Sequence, residues 1–99
     1  MIMKFYNKHE ADRYGIAEEA IGDMIAACSS ALYHEVLTNE EQKIIKNRMR
    51  AFHLEQKELN INNQEHVEAI IEKYCPLLKN NLVTADYLLY GKTTARKSA

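Results

Sequence analysis

The chain has 99 residues, 46% of them hydrophobic and 27% charged, with one proline, three glycines and a formal charge of -1. That composition excludes a disordered or collagenous chain, and it gives no global excess of positive charge for nucleic-acid binding, so any basic surface has to be local. The length fits one domain with a modest core, burying roughly two thirds of the surface that the unfolded chain exposes.

Asn7 followed by Glu10 has the spacing of a capping box, in which the Asn side chain accepts from a backbone N–H and the Glu reaches back to the cap. A first helix is predicted from there. Between Tyr14 and Leu37 the residues Ile21, Ile25, Cys28, Leu32 and Val36 recur at steps of three and four and form one apolar face. Gly15 and Gly22 each cost up to about 1 kcal/mol relative to Ala inside a helix, so each is expected to mark a break or a close helix approach. Thr38 and Glu41 repeat the capping signature after almost no linker, which predicts a second helix over 39–59, folded back on the first as an antiparallel hairpin. Its seam is Ile45, Met49, Phe52, Gln56 and Leu59, which leaves Leu54 on the surface.

The stretch NINN at 60–63 reads as a turn, and Asn62 with Glu65 gives a third capping box. Val67, Ile70, Ile71, Tyr74, Leu77 and Leu78 form the tightest apolar stripe of the chain, so the third helix is expected to be the core element, packed across the hairpin. Pro76 lacks an amide proton and crowds the preceding turn, which predicts a kink or tightening near Cys75. Thr84 caps a last short helix through Tyr90, and Gly91 supplies the left-handed residue that closes it. The polar end KTTARKSA is expected to fray. The fold class that follows is all-α: a small helical bundle of two longer helices in an antiparallel hairpin, a third helix and a short C-terminal helix. One domain over 1–91 is followed by a basic, flexible tail over 92–99.

Catalytic and metal chemistry find little support. His9, His34, His53 and His66 share no i, i+3 or i+4 spacing, and Cys28 and Cys75 do not form C-x-x-C, so no metal site is expected. Both cysteines lie in apolar sequence and read as buried reduced thiols rather than nucleophiles. The carboxylate pairs Glu18/Glu19, Glu40/Glu41 and Glu68/Glu72 stand where helix surfaces and first turns carry them, and the glycines are isolated, with no phosphate loop. Neither catalytic residues nor a cofactor are therefore expected. No apolar run reaches membrane-spanning length or the form of a signal peptide, so a cytoplasmic location, away from membranes, is the expectation.

The informative constellation is on the second helix, where Lys43, Lys46, Arg50, His53 and Lys57 fall in one angular sector. This basic stripe suits an acidic partner surface or a phosphate backbone, and Lys92, Arg96 and Lys97 could add to it. The plainer reading is a solvated face, partly paired with Glu18, Glu19 and Asp23 of the first helix. Tyrosine is the other bias, six against two phenylalanines and no tryptophan. Tyr87 and Tyr90 on the last helix could anchor a partner, with core packing as the alternative. Arg50 and Tyr87 lead the partner-binding candidates, because Arg and Tyr are enriched among residues whose truncation weakens interfaces.

The segment IIEKYCPLLKNN leading into VTADYLLYGK, residues 83–92, resembles the end of the DNA-binding domain of lambda-repressor-like helix-turn-helix regulators of phages and plasmids. Asp86, Tyr87, Leu88, Leu89 and Gly91 carry the likeness, which covers the last quarter of the chain. The resemblance implies a final short helix and, for the family, DNA reading by an upstream helix that follows a Gly-containing turn. HLEQKELNINNQEHVEAI contains QKEL but lacks that turn, so no DNA-reading residue is assigned. The expected function is a small non-catalytic regulatory protein of phage or mobile-element type that binds a macromolecular partner, a protein in first place. A homodimer is compatible with it. The alternative is a DNA-binding transcriptional regulator related to helix-turn-helix repressors.

Overall fold

Side-chain caps decide where each helix starts. The computed structural model describes residues 7–92, which form α1 (Lys8–His34), α2 (Asn39–Glu58), α3 (Gln64–Lys79) and α4 (Ala85–Tyr90). Tyr6 and the tail residues Arg96 and Lys97 lie outside the described residues. At α1 the Asn7 side chain accepts from the Glu10 amide at 2.7 Å, and Glu10 accepts from the Asn7 amide at 3.4 Å. At α2 the reciprocal pair is Thr38 and Glu41, at 3.1 and 3.0 Å. Thr84 caps α4 through the Tyr87 amide at 3.2 Å, and Gly91, at φ 72°, closes it in the left-handed region.

The third cap differs from the sequence expectation by one residue. Asn63, not Asn62, caps α3 by accepting from the His66 amide at 3.1 Å. The Asn62 amide is taken by the Asn60 side chain at 2.8 Å, in a turn that the Asn63 amide closes on the Asn60 carbonyl. Glu65 thereby falls at the second helical position, one short of where a capping box needs it.

Helix α1 runs unbroken through both glycines. A Cβ at Gly15 would meet nothing within 4 Å, and one at Gly22 only the Gln56 side-chain amide at 3.9 Å, so neither glycine is a break or a close backbone crossing. What permits close approach is the rest of the buried face: Ala17, Ala20 and Ala31, with Cys28, around the larger Ile21 and Met24. That face makes α1 the central helix. It packs along both α2 and α3, whose backbones do not approach each other. The expectation that α3 is the core element is therefore corrected. A helix flanked on two sides by neighbours spreads its contacts around a wide arc of small side chains, and its apolar stripe looks diffuse in sequence.

The chain direction alternates. Arg13 near the start of α1 pairs with Glu68 near the start of α3, and further along Ile16 and Ala20 share a groove with Cys75 and Leu78, so α3 runs in the same sense as α1. Helices α2 and α3 meet through side chains: Phe52 and Tyr74 pack edge to face with ring centroids 5.7 Å apart, and the Tyr74 hydroxyl donates to Glu55 at 2.5 Å. Burial, reinforced by the Glu55 carboxylate, pushes the Tyr74 hydroxyl pKa up. Pro76 does not end α3, which continues to Lys79. It removes one backbone donor, and its own carbonyl accepts from the Asn80 backbone and side chain at 3.1 and 2.8 Å.

Fully buried Ile21, Met24, Ile45, Val67, Ile70 and Leu88 form the centre of the core, each of the larger ones contributing about 1.5–3 kcal/mol on burial. Val36, expected on the apolar face of the first helix, is instead fully exposed. Helix α1 stops at His34, and Glu35 turns extended at ψ 148°, which breaks the helical period before Val36 is reached. Arg13 and Glu68 form two parallel hydrogen bonds, each 2.7 Å. The bond to Arg13 holds the Glu68 carboxyl below its ordinary pKa and raises that of the guanidinium.

Candidate interaction surface

Helix α2 turns one face inward and leaves the rest to solvent. Ile45, Phe52 and Leu59 are buried and Met49 and Gln56 half-buried, the seam expected from the sequence. At about 100° per residue a sector centred about 120° around the helix from that seam holds Lys43, Lys46, Arg50, His53 and Lys57, within about 80° of arc and along roughly 21 Å of helix. All five are exposed. Among the described residues, no carboxylate lies within 4 Å of any of them, and the pairing with Glu18, Glu19 and Asp23 expected on the plainer reading is not formed. Arg50 donates to the Asn47 side chain at 2.9 Å, which steadies its guanidinium along the helix. Lys57, in the last turn, also complements the negative end of the helix dipole.

The stripe borders apolar surface. Leu54 is 56% exposed, and with Ala51 it floors a shallow open depression edged by Asn47, Arg50, His53 and Lys57. This is an outer helix face rather than an enclosed cavity, so it offers contact area to a second surface and no enclosure for a small substrate.

Arg48, the remaining α2 cation between Lys46 and Arg50, points the other way. It donates to the Leu88 carbonyl at 2.9 Å, and its guanidinium lies 5.7 Å from the centroid of the Tyr87 ring. Tyr87 is half-buried by this arrangement, whereas Tyr90 is 59% exposed, its hydroxyl 3.5 Å from Glu41. Arg48 lies about 180° around the helix from the centre of the basic stripe. The sequence-expected partner-binding residues therefore split into two separate surfaces, with Tyr87 and Tyr90 on the α4 side and the five basic residues on the other. Sequence alone could not separate them, because where α4 docks is set by contacts between distant segments, Arg48 with the Leu88 carbonyl forty residues on among them.

Two further exposed features were not singled out as sites. On α1, Asp12, Glu18, Glu19 and Asp23 are exposed, as is Ile16 at 40%. At the α1–α2 corner Tyr33 is 84% exposed and stands beside His34 with ring centroids 6.2 Å apart.

Among the described residues no three His, Cys, Asp or Glu side chains come together as metal ligands. Cys28 is buried and its thiol is pushed up to about 11 by desolvation, while Cys75 is partly buried; both are free thiols. No helix among the described residues is long and apolar enough to cross a membrane. No protein-family model, no curated protein and no solved structure matches this chain.

Proposed function

We propose that this chain is a small non-catalytic regulatory protein that works in the cytoplasm by binding a macromolecular partner, and that the partner is a protein with an acidic surface. One observation carries the reading: five basic side chains share one exposed face of α2, and among the described residues no carboxylate neutralises them. Leu54 and Ala51 beside them supply apolar area of the kind found at the centre of protein interfaces. The phage or mobile-element setting rests on the family resemblance and on small size, and is an analogy.

The second reading is a DNA-binding transcriptional regulator related to helix-turn-helix repressors. It is favoured by α4, the Thr84-capped helix closed by Gly91 that the resemblance implies. Capture of partners from the native host by the wild-type chain and by folded Arg50→Ala and Lys57→Ala variants tests the first reading, with a mobility shift on DNA from around its own gene as the parallel arm. Loss of one protein partner in both variants supports it. Partners retained by both variants, or duplex binding that weakens steeply with salt, would count against it.

A further inference from the structure

One exposed stripe on each helix of the hairpin carries charge of opposite sign. On α1, Asp12, Ile16, Glu19 and Asp23 follow one another at steps of four, three and four, which places them in one stripe about 60° wide with the apolar residue among the acids. On α2, Arg50, Leu54 and Lys57 repeat the pattern at steps of four and three with the opposite sign. All seven side chains are exposed. Among the described residues only Asp12 has an ion-pair partner within the chain, Lys8 at 3.3 Å, and that pair is itself open to water.

Building on the reading of α2 as an interaction surface, we infer that its outer face receives the α1 acidic stripe of a second copy of this chain, in a two-fold dimer. Charge complementarity selects the occupant: the described part of this chain itself displays carboxylates at one-turn helical intervals around an exposed aliphatic residue, the chemistry the α2 face calls for. Helices packing at 8–10 Å between axes let long Lys and Arg side chains reach carboxylates on the facing helix. Exposed ion pairs contribute little each, about 0–1 kcal/mol. The charges therefore fix which faces meet and in which direction, while Ile16 and Leu54 with Ala51 supply the apolar centre. A two-fold axis makes the α1-to-α2 contact twice in one closed particle, whereas a one-way contact would propagate into a chain of copies.

The test uses the full chain, with its mass in solution followed by light scattering against concentration up to about 1 mM and against salt from about 50 to 500 mM. Wild type is expected to approach twice the mass of one chain and to dissociate as salt rises. Arg50→Glu with Lys57→Glu, and separately Glu19→Lys with Asp23→Lys, should each stay monomeric while keeping the helical circular dichroism of wild type. An equimolar mixture of the two reversed variants should regain the dimer mass, because both α1-to-α2 contacts are again complementary. A wild type that stays monomeric, a reversed variant that dimerises like wild type, a mixture that does not recover, or growth beyond two chains would each overturn the inference. Titration of polyglutamate and of a short DNA duplex into the same proteins separates this failure from that of the underlying reading. If wild type is monomeric but binds polyglutamate through Arg50 and Lys57, the α2 surface stands and self-pairing falls. Duplex binding without self-pairing assigns the face to nucleic acid, and binding of neither removes both.

Discussion

Replacing Arg48 by Ala removes a polar contact that, beside the burial of Leu88, holds α4 on the bundle. The C-terminal carbonyls of a six-residue helix have no partners within it, and Arg48 supplies one by donating to the Leu88 carbonyl at 2.9 Å. A hydrogen bond from a charged donor contributes about 1.5–3 kcal/mol, and a guanidinium stacked near an aromatic ring about 0.5–1 kcal/mol more. The site is half-buried, so solvent partly replaces both in the variant, and a net loss of about 2 kcal/mol is expected. For a domain of this size that lowers the melting temperature by about 8–16 °C. Arg48→Lys should fall between, since an ammonium keeps the charge but not the planar fork that donates and stacks together. Thermal melts followed by circular dichroism give the size of the effect, and hydrogen exchange locates it, with the Leu88 and Gly91 amides losing protection before those of α1. If Arg48→Ala melts within about 2 °C of wild type, α4 is held by Leu88 burial alone and the role given to Arg48 is wrong.

Ile21→Ala should cost about 2–5 kcal/mol in denaturant titration, because a fully buried side chain leaves a cavity. Val36→Ala should change stability by less than about 0.5 kcal/mol despite its place in the same apolar series; equal losses would restore Val36 to the core. The Glu68 carboxyl is held below its unfolded value of about 4.3 by its bond to Arg13. The stability from this pair is therefore present above that pH and is lost as pH falls through the folded value, so the gap between wild type and Glu68→Gln should close on acidification. A gap that widens in acid would contradict that sign. A thiol reagent should modify partly buried Cys75 in the native protein and reach Cys28 only with denaturant, since burial both blocks access and keeps that thiol protonated. Equal native rates at the two cysteines would refute the placement of Cys28.

The caps at Asn7, Thr38 and Thr84 and the left-handed Gly91 were legible in the sequence because each depends on residues within one turn of the helix it bounds. The seam of α2 was legible for the same kind of reason, as a period of 3.6 carried by large apolar residues. The exposed basic stripe lies outside that seam, its centre about 120° around the helix from it. The cap of α3 escaped by one residue because four consecutive positions, Asn60, Ile61, Asn62 and Asn63, offer three chemically equivalent side chains, and the turn decides which one is free to cap.

By itself, then, the order of residues determined that this chain is helical, where most helices begin, and which side of α2 is wet. Only the tertiary structure decided that α1 is central, since a face of Ala and Cys gains its burial from neighbours on two sides and carries little signal alone. It also decided that Arg48 serves the fold while Arg50, two residues on and rotated by about 200°, is left to solvent. Both facts depend on where distant segments dock, and docking is set by the complementarity of whole faces rather than by the residues adjacent in the chain.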